Sequence, residues 1–257
     1  MGARSPIHWL IIVVVLAVPA GLIWLIVRSG KTKSEHARPR EFRDLGRLTR
    51  VLQFLLVILI VTNIIAALSD IAQYRLLQST FTKDDASVND TRQQIIAVAY
   101  LFIFAVTTWV FGRWIYRANC NARALHARSM TFTPGWSVGW YFVPFACLWK
   151  PYQAMRELWK ASKNPQHWQD ERANPILGWW WASWIISNIL GQVSFRLSLA
   201  LDDISSISFY SLVNTVTEAF DVLATALALV LITRLGRMQA DRHKEQLIEP
   251  PSEANAP

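Results

Sequence analysis

The chain has 257 residues, of which 53% are hydrophobic and only 17% charged, and its formal net charge is +8. Ordinary soluble domains carry about 25% charged residues. Here the apolar residues come in runs close to the ~20 needed to cross a ~30 Å hydrocarbon core, so a soluble globular class is excluded and a multi-span helical membrane protein is expected.

The basic excess flanks the apolar runs, which points to the anionic face of a membrane rather than to nucleic acid. Cys120 and Cys147 have no CxxC spacing and form no disulfide framework. Each is either a reactive or palmitoylated thiol near an interface or, more simply, inert.

Residues 8–27 form the first apolar run. Val18-Pro19-Ala20 resembles a signal-peptide cleavage site, but the run continues for seven residues beyond it, which favours an uncleaved anchor over residues 1–28. Residues 29–50 read as a basic, solvated linker. Four further spans are expected at about 51–72, 94–116, 176–197 and 211–233. A polar loop lies at 73–93, and the basic stretch 117–130 contains no acid. In the fourth span Ser183, Ser187 and Gly191 lie four apart, a small-residue face that lets a neighbouring helix approach. Residues 238–257 read as a disordered tail.

Residues 133–163 are the least ordinary stretch. Between Gly135 and Trp149 the chain is apolar and Trp-rich but interrupted by Gly135, Gly139 and Pro144, and it is too short to span. Pro151 suits the first turn of a helix. Tyr152, Met155, Leu158 and Trp159 then recur on one side, with Gln153, Arg156, Glu157, Lys160 and Lys163 on the other. Such a helix either lies flat in the headgroup region or packs against its own bundle. If 135–149 does not cross, every basic loop falls on one side, with the N-terminus outside and the C-terminus cytoplasmic in the plasma membrane.

The string TPGWSVGWYFVPFACLWKPYQAMRELWKAS, with RANCNARAL just before it, resembles the bacterial DUF4328 family over roughly residues 48–237. The resemblance implies an integral membrane domain of unknown function, and it assigns no catalytic or binding residue. Cys147 stands where the resemblance implies Asn.

The expected fold is therefore all-α. It is a polytopic helical membrane bundle of four core spans, with an N-terminal anchor helix and a re-entrant or interfacial element on the cytoplasmic face. The intramembrane polar candidates are Glu218 and Asp221, three apart on one helix face, with Asn214, Asn188, Gln192 and Arg196 as neighbours. They form either a proton or cation site or structural cross-links. The interfacial or partner candidates are Trp136, Trp140, Trp149, Arg156, Trp159 and Lys160. Nine of the thirteen tryptophans fall between Trp136 and Trp184. An aromatic belt is the simpler reading of them, and a cage for a lipid or quaternary ammonium group the alternative. No catalytic set, metal site or cofactor is expected, since the five histidines are scattered and no Walker loop, GxSxG or HExxH occurs.

Three functions remain open. The sequence favours a non-enzymatic membrane component that binds anionic lipid headgroups or another membrane or cytoplasmic protein. The alternative is a small ion-coupled transporter using the intramembrane acids. An intramembrane enzyme ranks last.

Overall fold

The computed structural model describes residues 41–200 and 203–248. The expected anchor at 1–28 lies outside them. Among the described residues there are six α-helices and two short 3₁₀ turns, and no strand. The helices are α1 (Gly46–Leu77), α2 (Lys83–Ala124), α3 (Pro134–Gly139), α4 (Lys150–Lys163), α5 (Ile176–Ser198) and α6 (Ile204–Ile248).

The helix starts follow local chemistry. Thr82 and Asp85 cap α2 reciprocally: Asp85 N donates to Thr82 Oγ1 at 3.2 Å, and Thr82 N donates to Asp85 Oδ2 at 2.9 Å. Asp203 and Ser206 do the same for α6, with Ser206 N donating to Asp203 Oδ1 at 2.8 Å. The Asn174 side chain accepts from Ile176 N at 3.0 Å and starts α5.

Three helices are long and apolar enough to cross a membrane, namely α1, α2 and α6. α5, expected as the fourth span, has 23 residues but is not among them. Its tryptophans, serines, Asn188 and Gln192 dilute its hydropathy. The helices also outrun the apolar runs that predicted them. At 42 residues α2 extends about 63 Å, roughly twice the hydrocarbon thickness. α6 stays helical to Ile248, well into the segment expected as a tail.

The chain divides into two compact units. Among the described residues the apolar unit comprises 54–107, 178–200 and 203–230. It is built inside out. Phe54, Leu68, Phe102, Phe104, Trp179 and Ile189 are exposed, while Asn63, Ser69, Asp70, Ser187, Ser194 and Ser211 are buried. Large exposed apolar surface with polar groups turned inside suits a lipid surrounding. The expected small-residue face is used only in part. Ser183 and Ser187 are buried, but a Cβ on Gly191 would meet nothing within 4 Å, so Gly191 is not where a neighbour approaches.

Among the described residues the basic unit comprises 41–53, 108–177 and 231–248. Its core includes Leu52, Trp114, Leu125, Leu158, Leu177 and Leu235, all buried. Trp114 Nε1 donates to Thr49 Oγ1 at 3.0 Å, and a Cβ on Gly236 would lie 3.3 Å from the same oxygen. Gly236 thus permits a close approach that a larger residue would push apart. Residues 41–50, expected as a solvated linker, are instead tied in: Leu45 and Thr49 are buried, and Asn121 brackets the backbone of Arg43.

Candidate functional site

The segment RANCNARAL closes α2 and enters the core of the basic unit. Ala118, Asn119, Asn121, Ala122 and Leu125 are all buried. Each amide holds a separate piece of chain. Asn121 Oδ1 accepts from Arg43 N at 3.1 Å and its Nδ2 donates to Arg43 O at 2.8 Å. Asn119 Nδ2 donates to Phe132 O at 3.1 Å, and Arg123 Nη2 donates to the same oxygen at 3.0 Å. From α6, Gln239 Nε2 donates to Ala118 O at 2.8 Å and to Ser162 Oγ at 2.9 Å.

α2 ends with Ala127 N donating to Ala122 O and His126 N to Arg123 O. This is a Schellman closure, with His126 at φ 70° where glycine is usual.

Glu157 is a correction to the sequence reading, which placed it on the polar side of α4. It is 6% exposed, and its two oxygens accept from Thr131 N and Phe132 N, each at 2.9 Å. Trp159 also turns inward and is 5% exposed. Of the two arrangements open for α4, its apolar residues follow the packed one, with Met155, Leu158 and Trp159 buried within the unit. Arg156 is exposed, and Lys160 Nζ reaches Gln169 O at 3.1 Å.

Between α3 and α4 the chain forms no continuous helix. Thr133 caps α3, accepting from Trp136 N at 3.3 Å, and Pro134 follows it in the first turn. The 3₁₀ turns Trp140–Phe142 and Ala146–Leu148 come next. Phe145 separates them at φ 61°, ψ −51°, and Ala146 N donates to Pro144 O at 2.7 Å. That is a γ-turn of the rare positive-φ form, a conformation costing about 1–3 kcal/mol for a non-glycine residue. The Phe145 side chain gains little packing there, being 79% exposed. Trp136, Leu148 and Trp149 are also exposed. Trp140 is half-buried against Trp136 at 4.7 Å between ring centroids. Lys150 Nζ lies 5.8 Å from the Trp140 ring centroid.

A second candidate lies within the apolar unit. Glu218 and Asp221 share a face of α6, and Asp70 from α1 lies within electrostatic reach of Glu218. Asp70, which by its place near the end of an apolar run reads as interfacial, is 3% exposed. Its Oδ1 accepts from Gln93 Nε2 at 2.9 Å, and Asn214 approaches the same carboxylate. Ser187 donates to Asp221 Oδ1. Tyr100 lies near both Glu218 and Asp221, and Tyr210 near Asp70 and Glu218. Asp70 Oδ2 and Glu218 Oε2 are buried without a hydrogen-bond partner.

The other predicted neighbours stand apart. Asn188, Gln192 and Arg196 are exposed, and Asn188 Nδ2 donates to Trp184 O at 2.7 Å. Sequence reasoning missed Asp70, Tyr100 and Tyr210, because only the packing of α1 and α2 against α6 within this unit assembles them. Among the described residues, no group of three or more His, Cys, Asp or Glu is disposed to hold a metal ion.

No curated protein and no solved structure matches the chain. The family model for DUF4328, a domain of unknown function, matches residues 78–237, which is more than half of the chain and contains both candidate strings in full. The match begins later than the resemblance at 48 suggests. The chain belongs to the DUF4328 family.

Proposed function

We propose that this is a multi-pass membrane protein of non-enzymatic character whose basic unit faces the cytoplasm and binds anionic lipid headgroups. Charge segregation carries the reading. The described residues of the basic unit hold 16 Lys and Arg against seven Asp and Glu, while those of the apolar unit hold four against seven. Basic residues flanking spans mark the cytoplasmic side, and each is worth about 1 kcal/mol beside an anionic leaflet. Lys150 supplies a cation beside Trp140, and Arg156 and Lys160 supply two more along the helix that Lys150 begins.

The test is native mass spectrometry of the full chain released from membranes containing anionic lipid. Wild type is expected to retain anionic lipid, and Lys150→Gln/Arg156→Gln/Lys160→Gln to lose it with helical content unchanged. Equal retention refutes the reading. Trp159 is left out of the test because it is buried, so its loss would report folding.

One observation favours a second reading, ion-coupled transport. Asp70 joins Glu218 and Asp221, and two buried carboxylate oxygens lack donors. Acids inside a membrane cost at least ~2.5–3.5 kcal/mol and commonly mark ion or proton routes. Proton-driven flux into proteoliposomes that disappears in a folded Glu218→Gln variant supports it. Absence of flux under any imposed gradient refutes it.

A further inference from the structure

We infer that the turn at Pro144, Phe145 and Ala146 is a hook that seats the Phe145 ring at the headgroup–acyl boundary of the bilayer. The inference rests on the reading of the basic unit as facing a membrane surface.

Four observations converge on it. Phe145 is the most exposed large aromatic side chain among the described residues. It is held out by a γ-turn whose strain no packing of the ring offsets in water. The backbone that follows it is closed on itself. Ala146, Cys147, Leu148 and Trp149 each donate their N–H to an oxygen between Val143 and Ala146. A loop can enter an apolar phase only if its polar backbone is satisfied from within, and here four consecutive donors meet that condition.

Finally, no charged residue occurs from Thr133 to Trp149, and Lys150 follows at once. Exposed Trp136, Leu148 and Trp149 in the same segment as Phe145, with a cation directly after it, match an interfacial segment, in which aromatic rings sit at headgroup depth and a cation stays with the phosphates. A protein partner is the competing occupant. The bilayer is favoured because the same chain carries three helices of membrane-crossing length and composition.

The experiment uses the full chain with Cys120→Ser and Cys147→Ser, a spin label at Phe145→Cys or at Arg156→Cys, and reconstitution into phosphatidylcholine/phosphatidylglycerol vesicles. Collision with oxygen and with a water-soluble nickel chelate reports depth. The expected ratio of oxygen to nickel collisions is above one at 145 and below one at 156. Free collision with the nickel complex at 145 places the ring in water and overturns the hook. Exclusion of both reagents places it against protein and overturns a lipid occupant.

Should the cysteine replacements disturb folding, p-benzoylphenylalanine at 145 in the otherwise native chain answers the same question. Lipid adducts are expected, and exclusively protein adducts refute. A lipid-seated label in a protein that retains no anionic lipid refutes the charge reading alone. A water-exposed label with anionic lipid retained refutes the hook alone.

Discussion

Glu157→Gln is expected to destabilise the basic unit by about 2–4 kcal/mol. The wild-type carboxylate takes one backbone donor on each oxygen, from Thr131 and Phe132, at 2.9 Å. Bonds to a charged acceptor contribute about 1.5–3 kcal/mol each. Glutamine keeps one acceptor oxygen and turns its NH₂ toward the other N–H. One bond falls to neutral strength, and the second is replaced by two donors facing each other. The stranded N–H alone costs about 1–3 kcal/mol in a buried position, and relief from burying a charge offsets part of the total. At roughly 2–4 °C per kcal/mol for a chain of this size, the midpoint of thermal unfolding should fall by roughly 5–15 °C. Tryptophan fluorescence in nanodiscs reads the midpoint, and amide hydrogen exchange at Thr131 and Phe132 reads the site. An unchanged midpoint together with unchanged protection at those two amides would refute the assignment of Glu157 as the clamp of this loop.

His126→Gly should raise stability by about 1 kcal/mol in the same assay, because it removes the Cβ penalty at φ 70° without losing a buried group. A lower midpoint would contradict the Schellman closure. Trp159→Ala should cost about 3–5 kcal/mol as a large core truncation, while Arg156→Ala, at an exposed position, should change stability by less than ~0.5 kcal/mol. Equal effects would contradict the inward placement of Trp159. Lys163 Nζ donates to Glu171 at 2.6 Å, and chiefly this bond holds the Glu171 carboxyl below its ordinary value of 4.5. Its contribution is full above that ordinary value and is lost as pH falls through the lowered folded value. Protection of the 164–175 loop from proteolysis should therefore decline in acid, and Lys163→Gln should flatten the decline.

The apolar runs revealed the helices because the period and length of a hydrophobic segment are local properties. α1, α2 and α6 coincide with three of the four expected core spans, although each extends beyond its run. The misplaced side chains are those whose environment is set by another segment. Glu157 lies among Arg156, Lys160 and Lys163 in sequence, and nothing local says that two backbone N–H groups some 25 residues earlier will meet it. Asp70 sits late in an apolar run and reads as interfacial until Gln93 from α2 and Asn214 from α6 enclose it. Glu218 and Asp221 were legible as a pair from their spacing. The neighbours assigned to them from α5 were not, because helical phase on a largely apolar helix leaves open which side turns inward. Pro144 marked a break, but a phenylalanine at positive φ has no sequence signal.

The family strings therefore divide by physical role. In RANCNARAL, Asn119, Asn121 and Arg123 spend their hydrogen-bonding capacity on backbone groups of the same unit. In RELWKAS, Glu157 accepts from two backbone N–H groups, Ser162 donates to Leu158 O and accepts from the Gln239 side chain, and Trp159 fills the core. Substituting any of these is expected to lower the stability of the unit, so loss of function there does not by itself report on a ligand. The residues whose side chains lie outside the core are Phe145, Trp136, Leu148, Trp149 and Arg156, all of them exposed. Substitutions at those five positions can alter binding while leaving the unit folded. A scan that separates lipid retention from thermal stability should split the 133–163 segment along that line, and equal loss of stability at Phe145 and Glu157 would show that the turn is structural after all.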